Sequence, residues 1–232
     1  MHHLLTHTSG LGSYFNDAFW QSSRERFREV DDYKPLVKGE RLAFEPGTRY
    51  AYSNTGMLLL GVVIEGASGK SYFDFVRERV FEPAGMENTD SYSMDEPVEN
   101  LAIGYERDPE TASGWRNNVF QHVLRGGPAG GGFSTCPDLL AFAQALLEGE
   151  LLSVESLDRL WTDASGAGYG YGFGVNEGRR GKVVGHSGGF PGISANLDIH
   201  VDQGYVVVVL SNYGRAATRL NGSLRALIEA EG

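Results

Sequence analysis

Phe44–Gly66, FEPGTRYAYSNTGMLLLGVVIEG, decides how the chain is read. Pro46-Gly47 suits the two central positions of a type II turn, because proline presets φ and glycine takes φ > 0. A short polar segment carrying Tyr50, Tyr52, Ser53 and Asn54 follows. Gly56–Glu65 is then apolar at Met57, Leu58, Leu59, Leu60, Val62, Val63 and Ile64. A run this short cannot span a bilayer. Apolar on all sides, it predicts a buried helix, with Asn54 or Thr55 capping the first turn. A phenol and an amide two residues apart, held rigidly before such a helix, sit where a catalytic acid/base and a substrate-orienting amide belong.

On the N-terminal side, His3 and His7 stand four apart, a spacing that on one helix face serves zinc. The general-base Glu of a His-Glu-x-x-His site and a third ligand are both missing, so no metal is expected. Tyr14, Phe15, Phe19, Trp20 and Phe27 lie among charges and read as packing over a site entrance. On the C-terminal side, Ser71 to Asp74 resembles a capping box, and Phe73, Val76 and Val80 form a helical stripe stopped by Pro83. Residues 84–125 read as irregular. The glycine run Gly126–Gly132 lacks the Lys-Ser/Thr ending of a phosphate-binding loop. Thr135 caps a helix with Pro137 in its first turn, burying Leu139, Leu140, Phe142, Ala143, Leu146 and Leu147. A short helix is expected over Val154–Trp161.

From Tyr169 the period changes from 3.6 to 2. Tyr171–Val175 and Lys182–Gly185 read as short strands. Ile193, Ala195, Leu197, Ile199 and Val201 alternate with Ser194, Asn196, Asp198 and His200, the pattern of a half-buried antiparallel strand. Tyr205–Leu210 is continuously apolar and reads as a central strand. Leu220, Leu224, Leu227 and Ile228 mark a final helix over the sheet. The fold class is α+β in one domain over 1–232: a mostly helical lobe over 1–165, then an antiparallel sheet and terminal helix over 166–232. Before the alternating strand lies HSGGFPG (186–192). Its glycines would let a substrate lie along a strand edge with backbone N–H groups free to donate; a plain glycine turn is the other reading.

Composition sets the outer bounds. Hydrophobic content of 41% and charged content of 22% are those of an ordinary globular protein. Acidic residues exceed basic ones 30 to 20, and the net charge of −10 argues against nucleic acid as a partner. The single Cys136 excludes an internal disulfide. Neither a signal peptide nor a membrane span is expected in these residues.

Taken in order, HLLTHTSG (3–10), FEPGTRYAYSN, GGGFST and GHSGGFPGIS resemble the serine β-lactamase/penicillin-binding-protein superfamily. The branch most like it holds class C β-lactamases, D-alanyl-D-alanine carboxypeptidases and β-lactamase-like carboxylesterases. The resemblance implies a serine hydrolase without a cofactor, acting on a small-molecule ester, amide or peptide through an acyl-enzyme. Tyr52 and Asn54 match the family's Tyr-x-Asn motif. His186-Ser187-Gly188 matches its third motif, usually Lys-Thr-Gly, and Ser187 and Gly188 would bind substrate. The resemblance gives Tyr52 the base's role beside a lysine, and Asn54 the orienting of the substrate's acyl-side amide or of that lysine. Gly189 N–H would donate to the oxyanion.

One motif is missing. The family's nucleophile sits in Ser-x-x-Lys, yet three residues before Lys34, Lys38, Lys70 and Lys182 stand Asp31, Pro35, Ala67 and Arg179. The chain therefore reads as lacking the nucleophile segment and the family's N-terminal helix and strands, and as inactive by itself. A non-catalytic binding homologue and a protein completed by a second chain are the alternatives. An unpaired sheet edge and self-association through it are expected. His186, neutral near pH 7 where the family's lysine is charged, implies a preference for uncharged esters or amides over carboxylate-bearing substrates.

Overall fold

The turn before the central helix forms as its residues dictate: Gly47 has φ +88° and Thr48 N–H donates to Glu45 O at 3.1 Å. In the computed structural model, which describes residues 1–230, three short helices precede that turn. They are α1 (His2–Leu5), α2 (Asp17–Gln21) and α3 (Lys34–Val37). The central helix α4 spans Asn54–Ser68. Its cap is neither Asn54 nor Thr55 but Ser53, whose Oγ accepts from Gly56 N and donates to Gly12 O, both at 2.8 Å. Ser53 is fully buried, so its hydroxyl can serve two backbone groups at once, and Asn54 becomes the first helical residue.

The helix is less enclosed than its composition implies. Thr55, Gly56, Leu58 and Gly61 are buried, whereas Val63 is exposed. Gly61 is needed because a Cβ there would overlap Pro128 of the glycine run. Within that run a Cβ on Gly126 would overlap the Gly131 backbone, so the glycines let the chain double back against α4.

Helix α5 (Tyr72–Val76) starts at the Ser71 cap and runs into a π-type turn over Arg77–Phe81. The stretch read as irregular contains a hairpin, β1 (Tyr105–Arg107) with β2 (Trp115–Asn117). Three-residue strands are too short to display a period. Helix α6 (Cys136–Leu147) has the expected Thr135 cap, with Asp138 N–H donating to Oγ1 at 3.2 Å. Its inner face carries Ala143, Ala145 and Leu146; Leu140 and Leu147 point outward. Helix α7 covers Val154–Leu160.

The sheet is an antiparallel meander in the order β3 (Gly174–Gly178), β4 (Gly181–Phe190), β5 (Ile193–His200) and β6 (Tyr205–Ser211), followed by α8 (Ala216–Ala230). Three expectations change here. Residues 186–190 are not a turn but the second half of β4. Among the described residues β6 is an edge strand, hydrogen-bonded only to β5 along its length. The polar positions of β5 are not solvated: Ser194, Asn196, Asp198 and His200 are all buried. α8 helps to cover them, and Asp198 accepts from Asn221 Nδ2 at 2.8 Å and Arg225 Nη2 at 2.7 Å. Alternation reported two unlike faces, and both are covered.

Two apolar clusters frame the space between lobe and sheet. Tyr14, Phe19, Phe27, Val30, Tyr33, Leu58 and Val123 build one. Ala143 and Leu146 of α6, Leu157 and Trp161 pack against Val184, Leu197 and Ile199 to build the other. Tyr14, Phe19 and Phe27, read as entrance packing, are core residues. Phe15 and Trp20 remain at the surface of that cluster.

Candidate active site

Strand register creates the site. β4 pairs with β3 only as far as Gly185, opposite Gly174, whereas its pairing with β5 continues to Phe190, opposite Ile193. Residues 186–190 thus have one edge free. Each hairpin closes on a two-residue turn, at Gly178–Gly181 and Phe190–Ile193, and hydrogen-bonded pairs alternate from there. Counting from either turn gives the same parity: Gly181, Val183 and Gly185 bond toward β3, and Val184, His186 and Gly188 toward β5. The N–H groups of Ser187 and Gly189 therefore point out of the free edge.

Tyr52, Asn54, His186, Ser187, Gly188 and Gly189 all line one cleft of about 1270 Å³, so the structure brings together every site residue expected from sequence. Tyr52 is 45% exposed and its ring centroid lies 6.1 Å from that of His186. Burial, with a smaller effect from Tyr50, raises the Tyr52 pKa, which favours the neutral phenol. Asn54 Nδ2 donates to Ser13 Oγ at 3.2 Å, which ties the amide to the α1–α2 connection. Among the described residues no lysine lines the cleft.

Two residues were missed. Tyr169, from the tyrosine–glycine alternation at 169–172, is buried and its hydroxyl lies 3.0 Å from His186 Nε2. Asp163 accepts from the N–H groups of Gly166 at 2.9 Å, Gly168 at 3.0 Å and Tyr169 at 3.2 Å, which fixes the loop that delivers this phenol. His7 is the other. It lies beyond the end of α1, so it does not share a helix face with His3, which pairs instead with Thr8 Oγ1 at 3.0 Å. His7 is fully buried, at φ +54°, and its Nδ1 accepts from Ser53 N–H at 3.1 Å. Its ring centroid lies 4.0 Å from Tyr52 and 4.7 Å from Tyr169, so the cap of α4 and both phenols rest on one imidazole.

Burial, reinforced by the charge of nearby His186, pushes the His7 pKa down to about 4. The pKa values of His122 and His186 are also lowered, in both cases chiefly by desolvation. His186 is accessible, yet it sits against a cleft wall where protein replaces much of its water. An unfolded histidine takes a proton near pH 6.5, which folded His7 refuses until about pH 4. Stability is therefore full above pH 6.5 and is lost as pH falls toward 4. The melting temperature is expected to drop between pH 7 and pH 5, and His7→Asn, compatible with the left-handed backbone, should flatten that slope. A melting temperature constant across that interval would refute the assignment.

The geometry agrees with what the chain is similar to. The beta-lactamase family model matches residues 1–230. A penicillin-binding protein of Bacillus subtilis (strain 168) is 34% identical over 227 residues, covering 90% of this chain and 50% of that protein. A D-aminopeptidase of Cereibacter sphaeroides is 26% identical, covering 96% of this chain and 44% of that protein. The crystal structure of a penicillin-binding protein from Bacillus halodurans superposes with a TM-score of 0.89 at 30% identity, over 97% of this chain and 71% of that one. The chain thus spans about half the length of the curated relatives it matches. With its helical region, antiparallel meander and cleft at the free edge of β4, the chain belongs to the beta-lactamase family.

Proposed function

We propose that the protein is a serine hydrolase of amide, peptide or ester bonds whose substrate chain lies along the free edge of β4. The observation that carries this reading is that the Tyr52 phenol and the outward N–H of Gly189 face one cleft. The relative named a D-aminopeptidase favours amide substrates. The serine Oγ attacks the carbonyl carbon, and its proton passes to the phenolate form of Tyr52, which the charged lysine of Ser-x-x-Lys stabilises against the burial that favours the phenol. Tyr52 then hands that proton to the leaving nitrogen, and water releases the acyl group. Gly189 N–H donates to the carbonyl oxygen as it becomes an oxyanion. Asn54 orients the substrate, Ser187 offers its outward backbone groups, and Gly188, whose own are bonded to β5, leaves room beside the strand. Neutral His186 gives no fixed charge to a substrate carboxylate.

The serine and lysine are supplied from outside residues 1–232. The 232-residue chain alone is expected to release no p-nitrophenol from p-nitrophenyl butyrate, and no product from D-alanine p-nitroanilide, above background. Complementing it with a segment that carries the family's Ser-x-x-Lys motif should restore turnover and labelling by a fluorophosphonate. A burst from the chain alone, titrating one site per chain, would place the nucleophile at a serine within it; Ser187 is exposed in the cleft, whereas Ser53 is buried with its hydroxyl engaged in the α4 cap. The open outer edge of β6 supports self-association as part of the same proposal, read as an oligomer by light scattering.

A further inference from the structure

We propose that the cleft holds an aromatic side-chain slot above Gly188, walled by Phe15, Trp20 and Phe190, which selects amide substrates bearing a bulky aromatic side chain. The inference rests on the reading that the free edge of β4 takes a substrate chain. Side chains alternate across a strand, so His186, Gly188 and Phe190 share one face, that of their partners Leu197, Ala195 and Ile193. It is the face that packs toward α6, since Leu197 joins Ala143 and Leu146 in the core. Between the His186 and Phe190 side chains the strand carries only a hydrogen, and a Cβ built on Gly188 meets nothing within 4 Å.

The far wall of this gap is aromatic and fixed. Trp20 stacks on Phe190 with centroids 6.1 Å apart and planes 11° apart, and Phe15 lies 5.7 Å from the same ring. The indole does not swing freely. Its Nε1 donates to Phe15 O at 3.1 Å, and the Arg24 guanidinium sits 5.1 Å over its ring. Fully buried Phe19 braces it edge-on at 5.0 Å. The core beneath is complete without Trp20, which stays 48% exposed. A pre-positioned, half-exposed indole that lines the same cleft as this empty strand position offers apolar area at little ordering cost.

The test measures binding by calorimetry, so it does not depend on turnover. N-acetylphenylalaninamide and N-acetylalaninamide are compared, each as both enantiomers. The better phenylalanine enantiomer is expected to bind about tenfold to a hundredfold tighter than its alanine counterpart, from burial of the extra apolar surface. Trp20→Ala should shrink that ratio to about threefold, while Trp20→Phe keeps most of it. Gly188→Leu, which fills the gap from the strand side into open space, should erase the preference by an independent route. Equal binding of the two amides, or a preference that survives both Trp20→Ala and Gly188→Leu, overturns the slot and leaves the hydrolase reading standing. If neither amide binds, the slot and the substrate reading of the β4 edge fail together.

Discussion

Tyr52→Phe is expected to lower kcat/KM for amide hydrolysis by about 10²–10⁴-fold in any form of the protein that carries the nucleophile. The loss should fall on kcat, with KM nearly unchanged, because the missing proton transfer is felt in the transition state and not in binding. The substitution separates chemistry from structure. Phenylalanine keeps the ring that packs 4.0 Å from His7, so the cleft wall persists. The deleted hydroxyl belongs to a side chain 45% exposed, and no buried donor is orphaned by its removal. Melting should therefore change little. Tyr169→Phe is the control: its hydroxyl touches His186 Nε2 at 3.0 Å, so its loss should alter the response to substrate charge more than turnover itself. A Tyr52→Phe enzyme with turnover within about threefold of the parent would remove this phenol from the proton path.

Asp198→Ala should have the largest effect on stability, a loss of about 3 kcal/mol. Asp198 is 4% exposed, and its Oδ2 accepts from Asn221 Nδ2, Arg225 Nη2 and Arg225 Nε, the last at 3.1 Å. Deleting the carboxylate leaves a guanidinium beneath α8 with no counter-charge and a buried amide with one bond fewer. Breaking a buried pair costs about 3–5 kcal/mol, and the lower end applies because the Arg225 side chain is 34% exposed and water screens part of its charge. For a chain of this length that corresponds to a fall in melting temperature of about 6–12 °C. Asp198→Leu with Arg225→Met should recover much of the loss, since both the charge and its unmet demand are then gone. A single-variant melting temperature within about 2 °C of the parent would mean that α8 is held to the sheet by apolar contacts alone.

The sequence by itself determined what local chemistry can determine. Proline followed by glycine made the turn at 46–47, and Thr135 with Pro137 started α6 where a hydroxyl cap and a residue without an N–H belong. The change of period at Tyr169 announced the sheet. The segments from HLLTHTSG to GHSGGFPGIS, in order, carried the family and placed six cleft residues, since those positions are motifs of contiguous residues. What only the tertiary structure decided depended on partners distant in the chain. Whether Asn54 or Ser53 capped α4 turned on Gly12 O, 41 residues away, giving the Ser53 hydroxyl a second use. That Ser194, Asn196, Asp198 and His200 are buried depends on where α8 lies, which alternation within β5 cannot report. Tyr169 has no motif and His7, though inside HLLTHTSG, has no role assigned there; their part in holding Tyr52 and His186 exists only once residues 7, 52, 169 and 186 meet. The free edge of β4 was equally illegible: it follows from β3 ending its pairing at Gly185 while β5 continues to Phe190, a difference in length between two partners and not a property of HSGGF itself.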